Sequence, residues 1–130
     1  MATVAAKINI ANWFEISVMN LERAVKFYEK VFDVKLSTEE MAGMNMKMAT
    51  FPYTQGAAGA AGALVKGESY IPSHAGTVLY FSVEDIPEVL RRVSGNGGKI
   101  ILPKTSIGEY GSIAHFEDPE GNRVALHSMT

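Results

Sequence analysis

The chain has 130 residues, of which 47% are hydrophobic, and this size is typical of one domain that buries a core without covalent cross-links. It contains no cysteine, which excludes disulfides, thiolate zinc sites and a cysteine nucleophile. The formal charge of −2 gives no electrostatic reason to expect a nucleic-acid partner. No apolar run approaches the roughly 20 residues that cross a membrane, and the start of the chain lacks the apolar stretch of a signal peptide, so we expect a cytoplasmic protein without a membrane partner.

An internal repeat organises the chain. The segment ISVMNLERAV (16–25) reappears 65 residues later as FSVEDIPEVL (81–90). Each copy predicts a strand, an Asn or Asp cap and a helix. Because this period is too long for a solenoid unit, it indicates duplication of a whole supersecondary block. We therefore predict a single domain over 1–130, with one module at about 10–66 and a second at about 76–128.

The first module begins with an alternating strand and a helix. Residues 12–18 alternate, so Trp13 and Glu15 fall on the face opposite the apolar one. Asn20 is expected to cap a helix. The apolar stripe of this helix consists of Leu21, Ala24, Val25, Tyr28, Val31 and Phe32. The stripe packs most simply on the apolar face of the strand, which leaves Trp13 and Glu15 on the side away from the helix.

Further strands are predicted after this helix. Residues 34–36 resemble a short strand, and 39–49 a longer one with Met44, Met46 and Met48 at every second position. That methionine row is either core filler, the more common case, or an adaptable pocket wall.

A glycine-containing stretch follows the methionine row. FPYTQGAAGAAGALVKG (51–67) superficially resembles a phosphate-binding loop but lacks the Gly-Lys-Ser/Thr ending. A turn of small residues that leads into a strand at 61–65 is the better interpretation.

The second module repeats the pattern. Residues 77–83 predict a strand with Val78 and Tyr80 on the face away from its helix, and Asp85 is a good cap for that helix. A further strand is predicted at 99–102 after a glycine-rich helix end.

The chain closes with a predicted hairpin at 111–128 around the turn sequence DPEGN. If Glu117 pairs with Arg123 across this turn, His115 lies opposite Ala125 and faces the same side as Tyr80. A slip of one residue would reverse that orientation.

Both halves thus predict strand–helix–strand–strand–strand, an α+β fold with its helices on one side of a mainly antiparallel sheet. This pattern, with GGKIILPKT and IAHFEDPEGNRVALHS in the second half, resembles the vicinal oxygen chelate superfamily of glyoxalase, bleomycin-resistance and extradiol dioxygenase proteins. The resemblance covers about residues 12–128. It implies two βαβββ modules forming a curved sheet around a cavity, commonly in a homodimer. In metal-using members, four His, Glu or Gln side chains hold one divalent ion in that cavity.

The resemblance also locates the four ligand positions. They fall on Trp13, Val78, Ala125 and a residue near 61–63, and none of these side chains has a donor suited to a metal ion. We therefore predict no metal at the family site and no other cofactor.

The cavity is expected to be lined by a mixed set of groups: Trp13, Glu15, Met46, Val78, Tyr80, His115 and Ala125. The favoured function is metal-free binding of a small aromatic or amphipathic molecule in the cavity between the modules. The alternative is a glyoxalase-type lyase or isomerase that uses Glu15 and His115 as acid and base, without a metal or with one at a non-standard site. A third possibility is an assembly subunit whose own side chains fill the cavity. Whether the protein is an enzyme is left open.

Each candidate group also has a structural interpretation. Glu15 is as often part of an ion pair as of a site, Tyr80 is more often a wall residue, and His115 is somewhat more often a packing residue than a base. His74 and His127 are expected near solvent.

Overall fold

A computed structural model describes residues 9–41 and 43–130. The first module contains β1 (Trp13–Ser17), α1 (Leu21–Phe32), β2 (Ser37–Met41), β3 (Met46–Thr50) and β4 (Ala61–Lys66). The second contains β5 (Tyr80–Ser82), α2 (Ile86–Gly95), β6 (Lys99–Ser106), β7 (Ser112–Glu117) and β8 (Arg123–Ser128), with a short 3-10 turn at Gly108–Tyr110. Residues 1–8, on which the signal-peptide expectation depends, and residue 42 lie outside the described ranges.

Each module forms its own four-stranded sheet, with strand orders β1-β4-β3-β2 and β5-β8-β7-β6. The first strand of each module pairs in parallel with the last, and the remaining pairs are antiparallel. The predicted α+β fold with repeated βαβββ modules is confirmed. The structure refines it, because the mainly antiparallel surface consists of two adjacent sheets.

Both helices begin at the predicted caps. The Asn20 side chain accepts a hydrogen bond from the Arg23 amide (3.0 Å) at the start of α1. The Asp85 side chain accepts one from the Glu88 amide (3.1 Å) at the start of α2. Each cap satisfies a backbone donor that the first turn of a helix leaves free. Among the described helices, none combines the length and apolarity needed to cross a membrane.

A continuous apolar core on the helix side joins the modules. Phe14 of β1 and Phe81 of β5 pack edge to face with ring centroids 5.5 Å apart. Phe27 of α1 packs against Phe116 of β7 at 5.9 Å. Phe27 is 2% exposed, although the predicted apolar stripe of α1 omitted it. The omission is explained by its partner, because Phe27 contacts the opposite module.

The strand predictions after α1 are wrong in position. No strand forms at 34–36, and the predicted strand at 39–49 is the β2–β3 hairpin. The chain reverses at Gly43 (φ 83°) and Asn45 (φ 51°), which adopt the left-handed conformation that Gly and Asn tolerate best. Met44 therefore lies in an exposed turn, outside the strand.

The DPEGN turn joins the second module to the first. One oxygen of the Glu120 carboxylate accepts from the amides of Met19 (2.8 Å) and Asn20 (2.9 Å). The other accepts from Nε of Arg23, with which it forms an ion pair. Burial opposes ionisation of Glu120, but the hydrogen bonds from Arg23, Asn20 and Met19 prevail and lower its pKa.

The same turn also makes a buried contact with α1. The Tyr28 hydroxyl donates to the Asp118 carboxylate at 2.7 Å, and burial followed by the Asp118 charge raises the pKa of Tyr28 well above its usual value. Asn122 Nδ2 donates to the Ser17 carbonyl at the end of β1 (2.8 Å). These contacts fix β1 relative to β8, and so position the two sheets for the site described next.

Candidate functional site

The candidate site lies on the open face, which we define as the sheet surfaces turned away from α1 and α2. In β1, Trp13 and Glu15 face this side because Phe14 and Ile16 alternate with them and pack in the core. In the second sheet Tyr80 belongs to the same face, since its neighbour Phe81 packs on the core.

The structure decides the hairpin register that the sequence left open. Glu117 pairs with Arg123, and His115 lies opposite Ala125. Ala125 also pairs with Tyr80 on its other side. Paired residues share a sheet face, so Tyr80, Ala125 and His115 form a row across three strands of the open face.

The two open faces meet at a seam between β1 and β5. The contact between Phe14 and Phe81 brings these two edge strands together on the helix side. Because neighbouring residues point to opposite faces, Trp13, Glu15 and Tyr80 border the seam on the open side. Trp13 and Tyr80 are 45% and 44% exposed, so both rings are available to a ligand.

Glu15 is held by two neutral donors. Trp13 Nε1 donates to one carboxylate oxygen at 3.2 Å, and the Tyr70 hydroxyl donates to the other at 2.8 Å. The hydrogen bond to Glu15 is also the main reason why the pKa of Tyr70 is raised. Glu15 makes no ion pair among residues 9–41 and 43–130. The carboxylate is therefore fixed in position, and within the described part of the chain no cation pairs with it.

Tyr70 links Glu15 to the methionine row. It packs with Met46 against a small apolar cluster on the open face that includes Met48, Ala63 and Val65. Sequence reasoning missed Tyr70, because the loop after β4 carries no pattern that assigns a face to it. Met46 was predicted as a site residue and lies in this cluster.

Tyr80 and His115 form a second hydrogen-bonded group. The Tyr80 oxygen and His115 Nε2 are 3.0 Å apart, and the rings meet edge to face. Burial, and then the nearby Arg123 charge, lower the pKa of His115, so its imidazole is neutral at pH 7. His115 Nδ1 is buried and has no partner among the described residues.

Arg123 shares the open face with this pair, two residues before Ala125. It is half-buried, and its Nε is also buried without a hydrogen-bond partner in the described ranges. Glu117 pairs with Arg123 in the strand ladder but forms no ion pair with it among the described contacts. Its carboxylate oxygen Oε1 lies 3.5 Å from Nε2 of His74. An unsatisfied buried polar group costs about 1–3 kcal/mol, and such a group often marks a position where a ligand or water completes the network.

The other histidines lie apart from this pair. His74 is exposed, as expected, whereas His127 is half-buried in β8 and its Nε2 lies 2.6 Å from the Tyr110 carbonyl oxygen.

The strand pairings locate the fourth metal-ligand position of the resemblance. Ala63 lies opposite Glu15 as Ala125 lies opposite Tyr80, so the two alanines occupy equivalent places. Neither has a donor atom, Val78 has none, and the indole nitrogen of Trp13 only donates. These four residues do not fit a metal ion. Within the part of the chain that the structure describes, no cluster of three or more His, Asp or Glu side chains is placed to hold one elsewhere.

The predicted site residues thus fall into two groups. Trp13, Glu15 and Met46 belong to the first sheet, and Tyr80, His115 and Ala125 belong to the second. Val78 lies two residues before β5, because the strand predicted at 77–83 forms only at 80–82. Among the described residues no hydrogen bond joins the groups, so the proposed acid–base pair of Glu15 and His115 is not in direct contact.

A cleft of about 700 Å³ lies at the module junction. Its lining includes Phe14, Phe51 and Phe81 of the helix-side core, and Glu84. Tyr80, which borders the seam, also lines this cleft.

Comparisons with known proteins agree with this architecture. A glyoxylase-like domain-containing protein from Didymella fabae is 32% identical over 114 residues, which cover 86% of this chain and 88% of the relative. A glyoxylase/bleomycin resistance protein/dioxygenase domain from Frankia sp. superimposes with a TM-score of 0.71 at 16% identity, covering 94% of this chain and 98% of that one. A glyoxalase I variant from Zea mays superimposes with a TM-score of 0.70 at 22% identity. The match covers 92% of this chain but only 47% of the maize chain, so the chain spans about half of that protein.

At these identities the solved structures share the fold alone. A family model matches residues 10–126, which is most of the chain. The chain belongs to the Glyoxalase/Bleomycin resistance protein/Dioxygenase superfamily.

Proposed function

We propose that this protein binds a small aromatic or amphipathic molecule on the open face, without a metal ion. The observation that carries the proposal is the pair of exposed rings at the seam, Trp13 and Tyr80, each hydrogen-bonded to a polar neighbour. A large aromatic side chain in water gains by covering its face, and a fixed ring loses less entropy when a ligand does so. The positions that hold a metal in other family members carry Trp13, Val78, Ala63 and Ala125, so they supply apolar surface instead.

Binding can be tested with the intrinsic fluorescence of Trp13, the only tryptophan of the chain. We expect saturable quenching by some members of a panel of aromatic compounds that are neutral, anionic or cationic. Calorimetry with Trp13→Phe should then show at least about tenfold weaker binding, since the indole provides ring area and the contact to Glu15. Tyr110→Ala, which removes an exposed ring from the 3-10 turn after β6, serves as the control. A panel in which no compound gives saturation contradicts the proposal.

We further propose a cytoplasmic homodimer. The support for a dimer is the exposed aromatic surface at the seam, which a second copy would partly cover. The support for the compartment is the absence of cysteine, which suits a reducing environment. Light scattering at micromolar concentration and fractionation of cells test the two statements separately.

A second candidate function is a glyoxalase-type lyase or isomerase with His115 as general base. The observation that favours it is the neutral imidazole next to the Tyr80 phenol, because an uncharged histidine accepts a proton at pH 7. The reaction would survive chelation of metals and fall at least about tenfold in His115→Gln and Glu15→Gln, a typical general acid–base contribution. Turnover of a hemithioacetal by EDTA-treated protein is the assay. Activity that requires a stoichiometric metal would contradict this version.

A further inference from the structure

The strongest unassigned feature is Arg123 on the open face of the second sheet, a cation without an ion pair among residues 9–41 and 43–130. The residue is half-buried, and its buried Nε has no hydrogen-bond partner within the same ranges. The carboxylate opposite it in the ladder, Glu117, lies near His74 and forms no ion pair with Arg123. A half-buried guanidinium without a carboxylate partner is a receptor for an anion, because its planar fork matches two oxygens at once.

The neighbouring Tyr80–His115 pair can supply one more donor. If Nε2 of His115 carries the proton and donates to the Tyr80 oxygen, the phenol proton is free, and the exposed Tyr80 ring presents it on the face that it shares with Arg123 and Ala125. In the other tautomer the Tyr80 hydroxyl donates to Nε2, and the remaining proton lies on Nδ1, which is buried. An anion beside Arg123 favours the first tautomer, because it accepts the phenol proton. Ala125 has no polar side-chain atom that competes for these donors.

From these contacts we infer that the second sheet is an anion subsite, and that the ligand of the open face is an aromatic or amphipathic molecule with an anionic head group such as a carboxylate or sulfonate. This inference rests on the proposed binding function and adds the charge and orientation of the ligand. The head group lies against Arg123 and the Tyr80–His115 pair, and the apolar part lies along the seam toward Trp13. The uncompensated Glu15 carboxylate on the first sheet disfavours the reverse orientation.

Two dyes with the same aromatic frame test the inference. Anilinonaphthalene sulfonate carries the anion, and its uncharged parent N-phenylnaphthylamine does not. Energy transfer from Trp13 to the bound dye identifies binding near the seam, because the chain has no other tryptophan. In the wild type we expect the sulfonate to bind at least about tenfold more tightly than the parent, the scale of a hydrogen-bonded charge contact.

Variants at Arg123 assign the preference to this residue. Arg123→Gln should remove this preference: the affinity for the sulfonate dye should fall at least about tenfold, and the affinity for the uncharged parent should not change. Arg123→Lys keeps the charge without the fork, so it should retain part of the preference; this variant also serves if the first does not fold. Arg91→Gln removes the same charge from an exposed position on α2, and it should leave the affinities for both dyes unchanged.

Two results would overturn the inference while leaving the binding function intact: equal affinity of both dyes in the wild type, or unchanged sulfonate affinity in Arg123→Gln and Arg123→Lys. If neither dye binds near Trp13 and no other aromatic compound quenches it, the binding function and the anion subsite are both wrong.

Discussion

The contact of Glu120 with the start of α1 gives a sharp stability prediction. Both oxygens of this carboxylate are occupied, one by two backbone amides and the other by Arg23. In Glu120→Gln an amide NH₂ replaces one of these oxygens and faces a donor. A hydrogen bond to a charged group contributes about 1.5–3 kcal/mol, and the amide oxygen of Gln keeps some of the contacts. We therefore expect the free energy of unfolding to fall by about 2–3 kcal/mol at pH 7.

Urea denaturation followed by circular dichroism measures this loss. The midpoint should fall by about 1–2 M urea with an unchanged m-value, because the native fold and the surface exposed on unfolding are the same. Glu22→Gln is the matched control. It removes the same charge from the first turn of α1, but Glu22 is exposed and its interaction with the helix dipole accounts for less than about 1 kcal/mol.

The pH dependence gives an independent check. The pKa of Glu120 in the folded protein is lowered from its ordinary value of 4.5. A lowered folded pKa means that the stabilisation is fully present above pH 4.5 and is lost as the pH falls through the folded pKa. The difference between wild type and Glu120→Gln should thus be constant from neutral pH to about 5 and shrink in acid. A loss no larger than that of Glu22→Gln, or one that persists in strong acid, would refute the reasoning.

Three further predictions concern single groups. Tyr28→Phe removes the donor to buried Asp118 and should lower the free energy of unfolding by about 1.5–3 kcal/mol, whereas the exposed control Tyr53→Phe should not change it. In an NMR titration the pKa of His115 should lie below 6.5 and rise in Arg123→Gln, because burial and then the Arg123 charge lower it; an unchanged pKa in the variant would exclude the second cause. Gly111→Ala should lower the free energy of unfolding by more than about 2 kcal/mol, because Gly111 has a φ of 99° and an added Cβ would collide with the Ser128 carbonyl oxygen. Gly108→Ala, which has a φ of 74° and open space around it, should cost clearly less in the same urea experiment.

The repeat and the DPEGN turn made most of the fold predictable. A duplicated strand–cap–helix pattern is a local signal, and Asn20 and Asp85 cap their helices as expected. The turn sequence predicted the hairpin, whereas its register, with Glu117 opposite Arg123, came from the structure. The β2–β3 hairpin was missed because its reversal depends on left-handed Gly43 and Asn45, within a methionine pattern that continues at period two through the turn.

The site was less predictable because its contacts join distant parts of the chain. Tyr70 reaches Glu15 across 55 positions, and no local pattern assigns a loop tyrosine to a strand carboxylate. The sequence presented Arg123 only as the possible partner of Glu117 across the turn. That the Glu117 carboxylate lies near His74 depends on tertiary packing. The alternation of residues along a strand predicts the sheet face on which a side chain lies, whereas its hydrogen-bond and ion-pair partners depend on tertiary packing.

The two modules are related by a repeat, yet the strands that border the seam and the strands next to them carry different charged groups. Glu15 and Tyr80 occupy equivalent places, because each lies opposite an alanine of the last strand of its module. Trp13 lies opposite Ala61, whereas Arg123 takes the equivalent place two residues before Ala125. A symmetric ion site needs similar donors from both modules, and here one module contributes a carboxylate and the other a guanidinium. In place of four chelating side chains, the proposed seam has Glu15 on one side and Arg123 on the other. A ligand with one charged end is held in a single orientation by such a seam, and this polarity is the property that the dye pair measures.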